Sequence, residues 1–167
     1  YYLLRDGECV IAEHLGPAGP DGGEQERTEY SSSTPPSEQR QIRRSIRQRW
    51  RSIGQAETGL EPKDWGKGGK QDCRNAIQDR YQITLPNGLF TGMPEREVRK
   101  QVRDLISNLE GVANHEHTWA LHRGKEHAEA REGLANLHLH IVARRRDFGG
   151  QKPHLNRDEL IQRSQRH

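Results

Sequence analysis

Large apolar side chains are scarce in this chain of 167 residues. Hydrophobic residues make up 30% of the sequence, and aromatic residues only 5%. Counting glycine as well still leaves the apolar share below the ~45–50% that is usual for globular domains. The composition therefore predicts one domain with a small core, and a part of the chain that remains solvated.

Long hydrophobic runs and paired cysteines are also missing. No run approaches the ~20 apolar residues of a membrane helix, and we find no signal-peptide pattern. The two cysteines, Cys9 and Cys73, are too few for a disulfide framework and lack the spacing of paired metal ligands. We therefore expect a cytoplasmic protein that does not engage a membrane.

Regular apolar spacing is absent from residues 16–39. This segment contains four glycines and four of the chain's eight prolines, and such residues interrupt helices and strands. We expect a flexible loop or linker here, within a single domain that spans residues 1–167. Because the chain begins at Tyr1 instead of methionine, we also expect it to be a fragment of a longer reading frame.

The net charge is small, at +3, but the positive charges are clustered. Apolar residues spaced four, four and three apart, beginning at Ile42, predict a helix over residues 38–56. Six arginines surround this stripe without an intervening carboxylate, so the helix is a candidate phosphate-binding surface. An ordinary solvated helix face is the alternative. The candidate DNA contacts on this helix are Arg40, Arg43, Arg44, Arg47 and Arg51.

Strand and helix patterns alternate in the second half of the chain. Period-two apolar residues predict strands over 80–85, 118–121 and 137–143. A stripe that starts at Val98, ahead of Gly111, predicts a helix over 94–109. This order indicates a sheet domain of the α/β or α+β class.

The last of these strands contains the most informative residues. Because strand side chains alternate between faces, His138 and His140 point to the same side, about 7 Å apart at ~3.3 Å per residue. His122 ends the preceding strand, and antiparallel pairing would bring it near this pair. Three neutral imidazoles would leave open coordination positions, as catalytic metals require. A merely polar strand face is the alternative, and His115, His117 and His127 are rival third ligands.

These residues together resemble a known family. The segments 118–122 and 136–142, with 83–89 upstream and 155–160 downstream, look like the relaxases of mobilisable plasmids, which belong to the His-hydrophobe-His endonucleases. The resemblance covers about residues 80–165. It implies an α+β fold with an antiparallel-rich central sheet flanked by helices, and we expect this chain to lack the first strand of that sheet.

The resemblance also implies the site residues. Members of this family carry a nucleophilic tyrosine near the N-terminus, and Tyr2-Leu3-Leu4-Arg5-Asp6-Gly7 matches its setting. The match favours Tyr2 over Tyr1. The family's metal ligands fall on His122, His138 and His140, while Arg144 and Arg145 join the helix arginines as DNA contacts.

The activity implied is a nick in single-stranded DNA at a plasmid transfer origin, by metal-assisted tyrosine transesterification. We expect Mn²⁺ or Mg²⁺, and Zn²⁺, Ni²⁺ or Co²⁺ also suits imidazole ligands. Accessory mobilisation proteins are candidate partners besides the DNA. Two alternatives stay open, a basic single-stranded-DNA-binding remnant without chemistry and a histidine-triad nucleotide hydrolase. The hydrolase would need a third histidine at position 142, where this chain has Val142.

Overall fold

The computed structural model describes residues 2–4, 9–19, 24–59, 61, 77–86, 88–123 and 137–145. A single 3-10 turn, Tyr2–Leu4, comes first in the chain. Among the described residues, the strands are β1 (Cys9–Leu15), β2 (Arg27–Ser31), β3 (Gln78–Thr84), β4 (His117–Arg123) and β5 (Leu137–Arg144), and the α-helices are α1 (Pro36–Thr58), α2 (Glu95–Ser107) and α3 (Glu110–Ala113).

The described strands form one five-stranded sheet in the order β2-β1-β4-β5-β3. Every neighbouring pair is antiparallel, and helices pack on the sheet, so the chain has an α+β architecture. The strands predicted at 80–85, 118–121 and 137–143 are confirmed as β3, β4 and β5, each one to three residues longer or shifted.

Helices α2 and α3 cover one face of the sheet. Val98, Val102 and Leu105 recur at helical spacing and pack with Trp119 and Ile141. Pro94 precedes the helix and has an extended backbone conformation. The acidic side chains in the first turn of the helix stabilise it, because they interact favourably with the positive end of the helix dipole. The predicted helix over 94–109 is therefore confirmed, with bounds shortened to those of α2.

Helix α1 covers the other face together with the Tyr2–Leu4 turn. Ile46, Trp50 and Ile53 are buried against Ala120 and Val142, which alternate with the α2-facing side chains of β4 and β5. The helix ends at Gly59, whose φ of 71° is unfavourable for residues with a Cβ atom. None of the described helices is long and apolar enough to cross a membrane.

The expected linker over residues 16–39 is wrong for residues 27–31 and 36–39, which are regular elements, whereas residues 16–19, 24–26 and 32–35 contain no helix or strand. Residues 27–31 are strand β2, which pairs with β1 from Ile11↔Ser31 to Leu15↔Arg27, and helix α1 begins at Pro36. Tyr30 is only 2% exposed, in the core beneath α1. Thr28 and Tyr30 lie on the same face of the strand. The other side chains of this strand are polar, so the strand is stabilised by main-chain pairing with β1 and by the burial of the Tyr30 ring. Residues 20–23 lie outside the described residues.

A buried ionic cluster joins β1 to helix α2. Glu13, with no exposed surface, lies in the middle of β1 and accepts hydrogen bonds from Arg99 (3.3 Å), Arg103 (3.0 Å from Nε) and Trp119 (3.2 Å). Arg99 also donates to the carbonyl oxygens of Ala12 and Tyr30, at 3.0 and 2.7 Å. The cluster therefore connects α2 to the two strands at this side of the sheet.

The buried ring of His117 should make the protein sensitive to mild acid. The pKa of His117 is lowered to about 4, because burial disfavours the charged ring. The hydrogen bond to the His115 carbonyl raises the pKa, but this effect is smaller. Its Nε2 has no hydrogen-bond partner among the described residues. The unfolded chain, with an ordinary pKa near ~6.5, takes up a proton before the folded chain does. The contribution of the neutral His117 ring to the free energy of unfolding is therefore fully present above about pH 6.5. It is lost as the pH falls toward 4, and the loss amounts to roughly 3 kcal/mol.

Urea unfolding at pH 7.5, 6, 5 and 4 measures this loss. The variant His117→Gln keeps a polar side chain without a titrating group, so the difference between variant and wild type should shrink as the pH falls. An identical pH slope in the two proteins would show that His117 does not cause the acid sensitivity.

Candidate functional site

Three histidines meet at one end of β4 and β5. His122 is the cross-strand partner of His138, and His140 pairs with Ala120, so all three side chains are on the face that α1 covers in part. The ring centres of His122 and His140 are 4.2 Å apart, and those of His138 and His140 are 6.3 Å apart. The structure thus brings together the three residues that the sequence singled out, which we call the histidine cluster.

Strand β3 supplies polar neighbours that the sequence analysis missed. Gln82 and Thr84 are the cross-strand partners of His140 and His138. The Gln82 amide nitrogen and the Thr84 hydroxyl each lie 3.5 Å from Nδ1 of His138. Both side chains are exposed, as expected for an open part of the sheet. The alternation of Gln82 and Thr84 with Ile83 and Leu85 was the signal that could have identified them.

The electrostatics of the cluster keep its central ring neutral. Burial, together with the neighbouring His122 and His138, lowers the pKa of His140 to about 4. A neutral imidazole has a lone pair on one nitrogen, and that lone pair is what a metal ion binds. Near pH 7 the cluster therefore has the donor chemistry of a metal site without first having to lose a proton from His140.

Among the described residues, no group of three His, Cys, Asp or Glu side chains is arranged to hold a metal ion. The chemistry of the donors nevertheless fits, because the three imidazoles share one face and one strand end. Cys9, the β1 residue opposite His122, is a poor fourth ligand, since burial raises the pKa of its thiol to about 12. Rotations of the rings would be needed for their nitrogens to converge.

The Tyr2–Leu4 turn lies against this cluster. Nε2 of His122 is hydrogen-bonded to the carbonyl oxygen of Leu3. The side chains of Leu3 and Leu4 are 0% and 2% exposed, in the core beneath α1. The backbone of Tyr2 is therefore one residue away from a direct contact with the cluster. Tyr1 lies outside the described residues.

The helix arginines separate into a solvent-facing row and two held side chains. Arg43 packs over the ring of Tyr30, 5.9 Å from its centroid. Arg49 is held by a carboxylate, as described below. The four remaining arginines are spaced four, three and four residues apart, so they lie on one side of α1. They are exposed and make no ion pair within the described part of the chain. We call them the arginine row: Arg40, Arg44, Arg47 and Arg51.

Arg49 belongs to a network around the buried carboxylate of Glu116, not to the arginine row. Its Nε and Nη2 donate to the two carboxylate oxygens of Glu116, at 2.7 and 2.8 Å. His14 contacts the same carboxylate at 2.7 Å and also Thr118, which accepts a hydrogen bond from Trp50. Burial alone would raise the pKa of Glu116, but the hydrogen bonds from Arg49 and His14 outweigh it and lower the pKa to about 2. The network fixes α1 to the sheet.

The two arginines at the end of β5 are held by carboxylates. Arg144 pairs with Glu57 at 2.5 Å, and Arg145 lies 3.3 Å from Asp79. Both are partly buried. A phosphate contact from either residue would have to compete with these ion pairs, so the exposed row on α1 is the better candidate for DNA contact.

Comparison with protein-family models, with curated proteins and with solved structures finds no match to this chain.

Proposed function

We propose that the protein is a metal-dependent nuclease of the relaxase type, which cleaves single-stranded DNA by transesterification onto Tyr2. The observation that carries this proposal is the contact between the Leu3 carbonyl and His122. Through this contact, the Tyr2–Leu4 turn meets strands β4 and β5. The turn contains the tyrosine with a relaxase-like setting, and within the described part of the chain these two strands are the only pair with clustered imidazoles. The antiparallel sheet is compatible with the relaxase fold.

In the proposed reaction, Tyr2 is the nucleophile and the 3′ oxygen of the DNA is the leaving group. The Tyr2 phenol oxygen attacks phosphorus, and the bond from phosphorus to the 3′ oxygen breaks. A 5′-phosphotyrosine remains on the protein, and the phenol proton ends on the released 3′-hydroxyl. A phenol with a pKa near ~10 is a weak nucleophile at neutral pH, so it needs help from its surroundings.

His122, His138 and His140 would hold the metal ion. A divalent ion bound there supplies Lewis-acid chemistry, which neutralises charge on the phosphate oxygens. Mn²⁺ or Mg²⁺ is the proposed ion, with Zn²⁺, Ni²⁺ and Co²⁺ as alternatives. Around the ion, Gln82 and Thr84 orient His138. The arginine row binds the DNA backbone through forked contacts to phosphate oxygens.

A DNA-binding protein without chemistry is the second candidate. The observation that favours it is the arginine row, which needs no metal ion and no nucleophile to bind phosphate. The histidine-triad hydrolase has no such support, because Val142 is buried under α1, at 1% exposure, where that class would need an imidazole.

One assay separates the two candidates. The protein is incubated with Mn²⁺ and a random-sequence library of single-stranded oligonucleotides labelled at the 3′ end. A 5′-phosphotyrosine keeps the downstream strand on the protein, so a band that survives denaturing electrophoresis should contain the 3′ label and not a 5′ label. Binding without a covalent band, at any concentration of Mn²⁺ or Mg²⁺, would support the second candidate.

The arginine row should dominate the salt dependence of DNA binding. The double variant Arg44→Ala/Arg47→Ala should lower the slope of log affinity against log salt by roughly 1.4, at ~0.7 per lost contact on single strands. The matched control is Arg96→Ala/Lys100→Ala, which removes two exposed charges from α2 on the opposite face of the sheet. Fluorescence anisotropy between 50 and 300 mM salt measures both, and equal slopes would show that the row is only a solvated helix face.

A further inference from the structure

A cavity of about 550 Å³ lies at the opposite end of the sheet from the histidine cluster. Its walls come from α1, from the paired ends of β1 and β2, and from Glu116, which immediately precedes β4. Glu116 and His122 are six positions apart, so roughly 20 Å of chain separates the two places at ~3.3 Å per residue. The volume is within the ~300–1,000 Å³ that is typical of small-molecule sites.

The floor of the cavity is formed by groups that satisfy one another. Glu116 is 2% exposed and contacts both Arg49 and His14. The other ring nitrogen of His14 lies 2.7 Å from the Thr118 hydroxyl oxygen. Because both ring nitrogens are occupied, His14 has none left to exchange a proton with a ligand. The cavity therefore has the character of a binding site and not of an acid–base catalyst.

The rim of the cavity offers carboxylates that have no other partner. Glu24 and Glu26 are exposed, and within the described part of the chain neither side chain forms a hydrogen bond or an ion pair. Thr28 and Ser45 add hydroxyl groups to the lining. Three carboxylates line the cavity against one guanidinium, so the lining stays negative even when His14 is protonated.

The same lining disfavours an anion. The guanidinium of Arg49 is engaged by Glu116 through two nitrogens, at 2.7 and 2.8 Å. A phosphate or carboxylate would therefore have to displace this ion pair and also approach the charges of the rim. Pro17 and Ile46 supply apolar surface beside the acceptors. A ligand that suits both parts has a positive N–H donor group and a hydrocarbon portion.

We propose that this cavity binds a small organic cation, an ammonium or guanidinium group on a short apolar stem. The rim carboxylates of Glu24 and Glu26 hold the charged group, and the stem packs against Ile46. The site is separate from the histidine cluster, and it goes beyond the proposed nuclease activity.

Titration of the full chain with n-butylamine and with n-butylguanidine tests this site. Both compounds are charged at pH 7, and n-butanol has the same stem without the charge. Two-dimensional ¹⁵N–¹H spectra, recorded without DNA or metal ion, should show saturable shifts of the Thr28 and Ser45 amides with at least one of the cations. We expect no such shifts with n-butanol.

Two matched double variants test the role of the rim. Glu24→Gln/Glu26→Gln should weaken binding of the cation ~25-fold, at ~5-fold for each exposed ion pair. Glu29→Gln/Glu38→Gln removes two exposed carboxylates outside the cavity. Because it changes the net charge by the same amount, this control should bind as the wild type does.

Ser45→Leu fills the cavity without changing its charge. Ser45 is exposed on α1, and leucine is favourable in a helix, so the variant should fold. It should lose binding of both cations. A wild-type chain that binds neither cation, undiminished binding by Ser45→Leu, or equal losses in the two double variants would overturn the site. None of these measurements involves DNA cleavage, so the proposed nuclease is tested separately.

Discussion

Tyr2→Phe should abolish the covalent protein–DNA adduct and leave DNA affinity nearly unchanged. The substitution removes the phenolic oxygen, which is the proposed attacking atom, and keeps the aromatic ring. The adduct is measured by denaturing electrophoresis with the 3′-labelled library, and affinity by anisotropy. Circular dichroism checks that the variant is folded. A folded Tyr2→Phe protein that still forms the adduct would rule out Tyr2, and Tyr1 would then be the residue to test.

His140→Ala provides the matching contrast. We expect it to abolish the adduct as well, because one of three metal ligands is lost, and excess Mn²⁺ should partly restore it. Tyr2→Phe should not respond to metal at any concentration. Opposite responses to metal assign one residue to the metal site and the other to the nucleophile, whereas rescue of both variants would contradict that assignment.

Glu13→Gln should be among the most destabilising single substitutions in the chain. The carboxylate is fully buried and faces Arg99 and Arg103. Gln has the same shape but removes the buried charge between the two guanidinium groups, and the carboxylates that remain near them, Glu29 and Glu95, are 51% and 43% exposed. The Arg99 side chain itself is only 7% exposed. Breaking a buried pair in this way costs about 3–5 kcal/mol. Domains of this size are stable by only ~5–15 kcal/mol, so the loss is a large fraction of the total.

Urea unfolding followed by tryptophan fluorescence measures the effect, since Trp119 itself donates to Glu13. Glu29→Gln is the control, because this carboxylate pairs with the same Arg103 at 3.0 Å but is 51% exposed. An exposed pair contributes less than about 1 kcal/mol. Equal losses for the two variants would mean that Glu13 does not hold α2 to the sheet.

Elements with a clean apolar period could be predicted from the sequence. Helices α1 and α2 and strands β3, β4 and β5 each have such a stripe, and each is present. The proximity of His122 to His138 and His140 could be predicted from strand alternation and from the assumption that the two strands pair antiparallel. The β4–β5 register confirms that assumption.

Elements stabilised by buried polar groups could not be predicted. Glu13 and His14 lie within β1 and look like loop residues until their partners, Arg99 and Glu116, are known. Those partners are about ninety to a hundred positions away in the chain, beyond the reach of any local pattern. The same reason explains Arg49, which looks like another DNA contact until Glu116 is found beneath it.

The β4–β5 register has a genetic consequence. Side chains of a strand alternate between faces, so an in-frame loss of a single codon inside β5 would reverse the faces of the residues on one side of the deletion relative to those on the other. Loss of Leu139, for example, would make His138 and His140 consecutive residues on opposite faces, so that one of the two rings would turn toward the apolar layer under α2. Point substitutions at this site therefore change its chemistry by degrees, whereas one-codon insertions and deletions within β4 or β5 remove the site and expose the core in one step.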